Sequence, residues 1–262
     1  MSSEGKAPLP KRLVLAKLGV GSVKAGSWIT ITLGQRMIKV VTAIKRRSDL
    51  SVEAFQDHWL NRHSEVVLRL PGILRYHQSH LRASGYAEGE PVYDGVAEVW
   101  FEDLAAMRAL VGTAEHNALL EDEDRFLNRD VMVTLLTTEH VAKESDVPAG
   151  AIKCFELAKR RPDLSPEAFQ AYWRETHGPL VARIPTLLRY VQAAPRSGGY
   201  KGGREFPYDA VTTIWFESTD TMRQGAASQA FADARSDEAN FLASEPRVTL
   251  FTQEHVIKTS SN

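Results

Sequence analysis

A chain of 262 residues has room for one large or two ordinary domains, and its 43% hydrophobic and 25% charged residues are those of a protein that buries a core. A net charge of −1, with acids and bases interspersed, argues against a nucleic-acid or anionic-membrane partner. The single cysteine, Cys154, excludes an internal disulfide and suits a reducing, cytoplasmic setting.

Residues 1–36 have no counterpart elsewhere in the chain. Lys11, Arg12, Lys17 and Lys24 interrupt every apolar run, so neither a signal-peptide core nor a membrane span is expected. The segment is read as a weakly ordered extension, or as lying upstream of a true start at Met37. From Lys45 to Gln78 roughly 19 of 34 positions recur at Lys159 to Gln192, a constant offset of 114 (159−45, 190−76). Beyond that the offset is 115: Trp100-Phe101 becomes Trp215-Phe216, and Glu139-His140 becomes Glu254-His255. The duplication predicts two domains, 37–142 and 151–257, with a linker at 143–150 and a tail at 258–262.

In each copy the elements follow the same order. Residues 37–44 are β-branched and apolar on both parities, a strand covered on both faces. A helix starts after Ser51. Its copy has Ser165 as N-cap, Pro166 at the first helical position and Glu167 in the first turn. Phe55, Trp59, His63 and Val66 share a stripe, as do Phe169, Trp173 and His177. Pro71-Gly72 ends the helix. Strands are predicted at 73–81 and 94–101, helices at 104–111 and 115–127, and a last strand at 131–141. This order, strand–helix–strand–strand–helix–strand, predicts an α+β, ferredoxin-like plan. The strands are apolar on both faces, so the sheet of one copy is expected to face the sheet of the other as an intramolecular, pseudo-dimeric barrel.

Several residues stand out on chemical grounds. Glu98 lies mid-strand in the first copy where the second has Thr213, and Glu156 lies mid-strand in the second where the first has Thr42. A carboxylate between apolar layers is costly unless paired, so each is a candidate for a site or for a barrel rim. His77 and His80 alternate along one strand and point to opposite faces, which argues against a metal site. Tyr76 and Tyr190 are packing residues or donors to a developing oxyanion. Cys154 aligns with Val40 and is read as a buried apolar residue, and the Glu-His pairs at 139–140 and 254–255 as structural. No phosphate loop, nucleophile elbow or Cys-x-x-Cys occurs.

Together, Lys-Arg-Arg-x-Asp-Leu-Ser-x-Glu-Ala-Phe-x-x-x-Trp, a His four residues on, Leu-Arg-Tyr-x-Gln, Tyr-Asp, Trp-Phe-Glu and Glu-His-Val resemble the EthD family of the dimeric α+β barrel superfamily. That resemblance implies a protein of small-organic-molecule breakdown, of ethers, xenobiotics or aromatics. It also implies that His63 and His177 look onto a barrel cavity. The second copy keeps the family's Gly178-Pro179-Leu180 after the His. The first has Ser64-Glu65-Val66, and is expected to aim His63 differently for want of the proline kink.

The resulting expectation is cofactor-free, metal-free acid–base chemistry on a small apolar substrate, of isomerase, dehydratase, cyclase or monooxygenase type. His63, His177 and Glu98 are the catalytic candidates, with Glu98 orienting His63. Trp59, Trp173, Tyr76, Tyr190, His77 and Glu156 are the substrate-binding candidates. The first half is expected to carry the main site. Alternatives are an oxidoreductase, an accessory protein to an oxygenase, or a non-catalytic ligand carrier. The protein is expected as a monomeric pseudo-dimer or a homodimer.

Overall fold

The computed structural model describes residues 37–259, so the expectations about 1–36 and the last three residues lie outside the described residues. In the first half, β1 (Ile38–Ile44) leads through α1 (Val52–Asp57), a π-helical stretch (His58–His63) and α2 (Ser64–Leu68) to β2 (Ile73–Leu81). Then come β3 (Gly95–Phe101), α3 (Leu104–Ala109), α4 (Ala114–Phe126) and β4 (Val133–Lys143). The second half repeats the order: β5 (Ile152–Arg160), α5 (Pro166–Tyr172), a π stretch (Trp173–His177), α6 (Gly178–Ala182) and β6 (Leu187–Pro195). It ends with β7 (Ala210–Phe216), α7 (Thr219–Ala226), α8 (Gln229–Asp237) and β8 (Leu242–Lys258).

All strand pairs are antiparallel and the sheet closes in the order β1-β3-β2-β8-β5-β7-β6-β4. Each half contributes four adjacent strands. The seams are β2 with β8 and β4 with β6, so closure between the copies removes every open edge. His255 pairs with Gln78 and His140 with Gln192 at these seams, an inter-copy contact.

Strand alternation sorts the side chains into two layers. Val41, Val96, Leu135, Phe155, Val211, Ala193 and Leu250 meet inside the barrel, none more than 2% exposed. The expected greasy chamber is therefore filled by its own walls. The two tyrosines Tyr93 and Tyr208 join the same cluster, with hydroxyls 3.3 Å apart.

The same inward parity carries a charged network. Lys39 and its repeat mate Lys153 are 2% and 1% exposed, and Glu98, at 1%, lies between them. Lys39 Nζ is 2.5 Å from Glu98 Oε1 and donates to Glu139 at 2.8 Å. Lys153 Nζ donates to Glu98 and, at 2.6 Å, to Glu254. Trp100 and Trp215 donate their indole N–H groups to Glu139 and Glu254, and His77 Nδ1 lies 2.9 Å from Glu254. Glu98 thus bridges a cation from each half. It is not at a rim, as one sequence reading had it, and no imidazole of the helices reaches it.

Burial acts against ionisation of Glu98, but Lys153 and Lys39 outweigh it and hold the carboxyl below the usual value of 4.5. Removing Glu98 takes one charged partner from each buried lysine, leaving Lys39 with Glu139 and Lys153 with Glu254, and costs the charge-assisted contacts that join the two halves. Glu98→Gln is expected to lower unfolding free energy by about 3 kcal/mol in a urea titration at neutral pH. Because the folded carboxyl is depressed, that difference is present in full above about pH 4.5 and shrinks as pH falls below it. An unchanged urea midpoint at pH 7 would contradict the bridging role.

Candidate active site

The first helix of each half is capped as its sequence predicts: Ser51 Oγ accepts from Ala54 N–H at 3.2 Å, and Ser165 Oγ from Ala168 N–H at 3.1 Å. One turn later the α-helical ladder widens to π-helical bonding, which frees a carbonyl. Gln78 Nε2 donates to the Trp59 carbonyl at 2.7 Å, and Gln192 Nε2 to the Trp173 carbonyl at 2.7 Å. Each of these amides also donates to a buried phenol, Tyr76 or Tyr190, at 2.8 Å. The π stretch occurs in both halves, with or without the proline, so Pro179 does not cause it. The expected difference in aim between His63 and His177 is not present, because the strand glutamine fixes both helices alike.

The bulge turns each histidine toward the second helix layer. His63 Nδ1 lies 2.8 Å from Asp122 Oδ2 on α4, and His177 Nδ1 lies 3.0 Å from Asp237 Oδ2 on α8. Both imidazoles are buried, at 6% and 5% exposure, against Phe126 and Phe241. His58 Nε2 reaches the other oxygen of Asp122 at 3.0 Å, and Tyr172 donates to Asp237 at 2.6 Å. A carboxylate on Nδ1 selects the tautomer with its proton there and leaves Nε2 as a lone pair. No described residue forms a hydrogen bond to Nε2 of His63.

Burial lowers the His63 pKa, and Asp122 pulls it back only in part, so the ring is neutral at pH 7. His177 follows the same pattern with Asp237. Burial works against the charge of Asp122 as well, but the hydrogen bond from His63 and the field of the two imidazoles hold it below the usual range.

These dyads do not face the barrel axis. They lie in the layer between the helices and the outer side of the sheet. Below them the outward side chains of the first-half sheet, Val40, Thr42, Ala97, Val99, Thr134 and Leu136, are half-buried, unlike the sealed inward ones. The sheet's outer surface under the helices is therefore the accessible apolar face of this half.

The sequence-predicted residues separate by layer and by side of the sheet. His63 and His177 stand in the helix layer, each with an aspartate. Trp59, Trp173, Tyr76 and Tyr190 are also in that layer, but as supports. Trp59 stacks on His80 with centroids 4.1 Å apart, and the phenols are sealed, their pKa values raised by burial so that they stay protonated. Glu98 and His77 are inside the barrel, so the expected pairing of Glu98 with His63 is not formed: strand parity puts them on opposite sides of the sheet. Glu156 points outward, not into the barrel, and accepts from Arg247 at 2.5 Å. Cys154 is buried at 6% exposure and its thiol is pushed up to about 12 by burial, an inert packing residue as its alignment with Val40 predicts.

The residues missed by sequence reasoning are Asp122, Asp237 and Glu123, together with Lys39 and Lys153. The signal was there. Asp122-Glu123-x-x-Phe126-Leu127 recurs as Asp237-Glu238-x-x-Phe241-Leu242 at the offset of 115, and the lysines recur at 114 within otherwise apolar strands.

A model of the EthD domain matches residues 47–130 and 161–245, one in each half and together more than half of the chain. The chain belongs to the EthD family. It carries two EthD repeats where a relative carries one. An uncharacterized 11.0 kDa protein of the thcB-thcC intergenic region of Rhodococcus erythropolis is 35% identical over 92 residues, which cover 35% of this chain and 85% of that one. Among solved structures, an anthrone oxidase-like protein aligns with a TM-score of 0.60 at 10% identity, over 87% of this chain and 96% of its own. A putative monooxygenase of Fusobacterium nucleatum aligns with a TM-score of 0.54 at 10% identity, over 86% and 94%. At such identity these neighbours share the fold alone, an α+β barrel, which this EthD chain closes from its own two halves. Among the described residues no helix is long and apolar enough to cross a membrane.

Asp122 raises the His63 pKa by hydrogen bond and charge, so its removal should let burial dominate. In Asp122→Asn the NMR titration midpoint of the His63 ring is expected to fall further below 6.5 than in the wild-type protein. A rise would show that the carboxylate is not what the ring feels.

Proposed function

We propose that this EthD chain carries out proton-transfer chemistry on a small, largely apolar organic molecule, with His63 as the base. The observation that supports the reading is the Nδ1 contact of His63 to Asp122, which leaves a neutral Nε2 lone pair on a ring packed against Phe126. Such a base removes an acidified C–H proton. The carbanion then isomerises, eliminates, cyclises or takes up oxygen, and none of these outcomes requires a bound cofactor in this reading. Two fold neighbours carry the names monooxygenase and anthrone oxidase-like, and oxygenation is tested among these outcomes for that reason. Glu98, His77 and the paired lysines have a structural part, since they form a closed network inside the barrel.

A panel of small carbon acids, anthrone among them, incubated with the protein in deuterated buffer provides the test. Wild type is expected to accelerate hydrogen–deuterium exchange at the acidic carbon, and to do so under air with oxygen consumption where the carbanion is oxidisable. His63→Ala is expected to lose about 100-fold or more of that rate. The rate should fall as pH drops through the lowered His63 pKa, because protonation takes away the lone pair. Exchange by His63→Ala at the wild-type rate removes the base role. Tight binding without exchange by the wild-type protein makes the chain a carrier instead.

A further inference from the structure

His58 and Tyr172 hold the same position of the repeat (172−58 = 114), and each gives the aspartate of its half a second donor. His58 Nε2 lies 3.0 Å from Asp122 Oδ1, while His63 Nδ1 lies 2.8 Å from Oδ2. Tyr172 donates to Asp237 Oδ1 at 2.6 Å, while His177 Nδ1 lies 3.0 Å from Oδ2. In both halves the second donor stands five residues before the histidine. On an α-helix, at about 100° per residue, such a pair diverges by about 140° around the axis. The π-helical stretch closes that gap, because its i→i+5 bonding brings residues five apart onto one side. It runs from His58 to His63 in the first half, and from Trp173, next to Tyr172, to His177 in the second.

The two imidazoles close around Asp122, which is buried on α4. Phe126 packs against both rings, its centroid 4.7 Å from that of His58 and 4.8 Å from that of His63. Among the described residues Arg125 is the other cation within ion-pair reach, its Nη1 3.8 Å from Oδ1 on a largely exposed side chain. Asp122 is held below the usual carboxylate range and is ionised at neutral pH. An ionised carboxylate only accepts, so both ring nitrogens that touch it carry hydrogen. His58 therefore donates through Nε2 and His63 through Nδ1. A carboxylate held on one oxygen can still turn about its Cβ–Cγ bond, and one held on both is locked.

We propose that His58 is a positioning residue of the first-half site, and that the π-helical turn serves to bring it there. Its Nε2–H pins Oδ1 of Asp122, so that Oδ2 holds His63 in the Nδ1–H tautomer and leaves Nε2 of that ring to the substrate. This rests on the base role of His63 and deepens it. His58 touches no substrate and changes no bond in the reaction. It acts through Asp122 alone, by keeping the carboxylate in the one rotation that His63 needs. The phenol of Tyr172 does the same for His177. The position therefore calls for a hydrogen-bond donor that can reach the aspartate, and not for an imidazole as such.

The full chain and two of its variants decide it. In nitrogen-15 NMR spectra of the wild-type histidines, His63 is expected to carry its proton on Nδ1 and His58 on Nε2. A His58 with its proton on Nδ1 alone would overturn the proposal before any variant is made. His58→Phe keeps a ring against Phe126 and removes the donor. It is expected to show both tautomers of His63, and to lower kcat for deuterium exchange into anthrone by about tenfold with KM little changed. His58→Tyr supplies the donor that the second half uses, and is expected to restore both the single tautomer and the rate. A single His63 tautomer and full kcat in His58→Phe would overturn the proposal. So would a His58→Tyr protein as impaired as His58→Phe, since a donor at this position would then not be what His63 needs. Absence of exchange even in the wild-type protein removes the base role of His63, and the tautomers of His63 in the two variants then decide by themselves for or against the pin.

Discussion

A four-stranded sheet that is apolar on both faces cannot leave one of them to water, and this constraint shapes the whole molecule. Helices cover one face. The other can be covered only by a sheet of matching shape, and the duplication supplies it in the same chain. Once the two sheets meet, β2 pairs with β8 and β4 with β6, and no edge remains to pair with another molecule. The buried space between them then has to be filled, and the filling decides where chemistry can occur.

The filling is of two kinds. The middle of the barrel is packed with Val41, Val96, Phe155, Val211 and Leu250. Beside it, two lysines related by the repeat converge on one carboxylate that is not repeated. Two like charges so placed would repel, and a symmetric pair of glutamates opposite them would add surplus negative charge. Glu98 in one half and Thr213 in the other break the symmetry: Glu139 and Glu254 already stand against the two lysines, and a second mid-strand glutamate would set four carboxylates against two ammonium groups. Sealed by its own side chains, the barrel interior has no room for a substrate, and accessible apolar surface is left on the outside of the sheet, beneath the helices.

The fold was legible in the sequence because it rests on periodicity and on the copy. Strand parity, the Ser-capped helix starts and the offset of 114 are local or repetitive signals, and the elements fall within a few residues of where those signals put them. The site was only half legible. His63 and His177 are visible on the helical stripe, but a stripe says which residues are buried, not against what. Strand parity alone could not say which side of the sheet is the inside, and so Glu98 was paired with the wrong layer. The π-helical widening was invisible because its cause, the Gln78 and Gln192 amides, lies about 20 residues away on the next strand. Asp122 and Asp237 sit among several acids on a polar helix, and nothing but the repeat distinguishes them from solvated neighbours.

The repeat also tells which features the fold demands and which it merely permits. What occurs twice holds the layers together: the glutamine on the freed carbonyl and the phenol beside it join the first helix to the sheet, and the histidine on its aspartate joins that helix to the second. What occurs once has been free to diverge. His80 stacks on Trp59 and hydrogen-bonds Gln78, while its counterpart is Ala194 beside Trp173. Arg235 and Arg247 close around Glu238 and Glu156, while Leu120 and Met132 take the arginines' positions in the first half and Glu123 faces Arg129 at 3.7 Å. An ion cluster of the second kind ties helix to sheet and stiffens it. Glu123, half-buried and 3.7 Å from Arg129, makes no such tie between helix and sheet among the described residues.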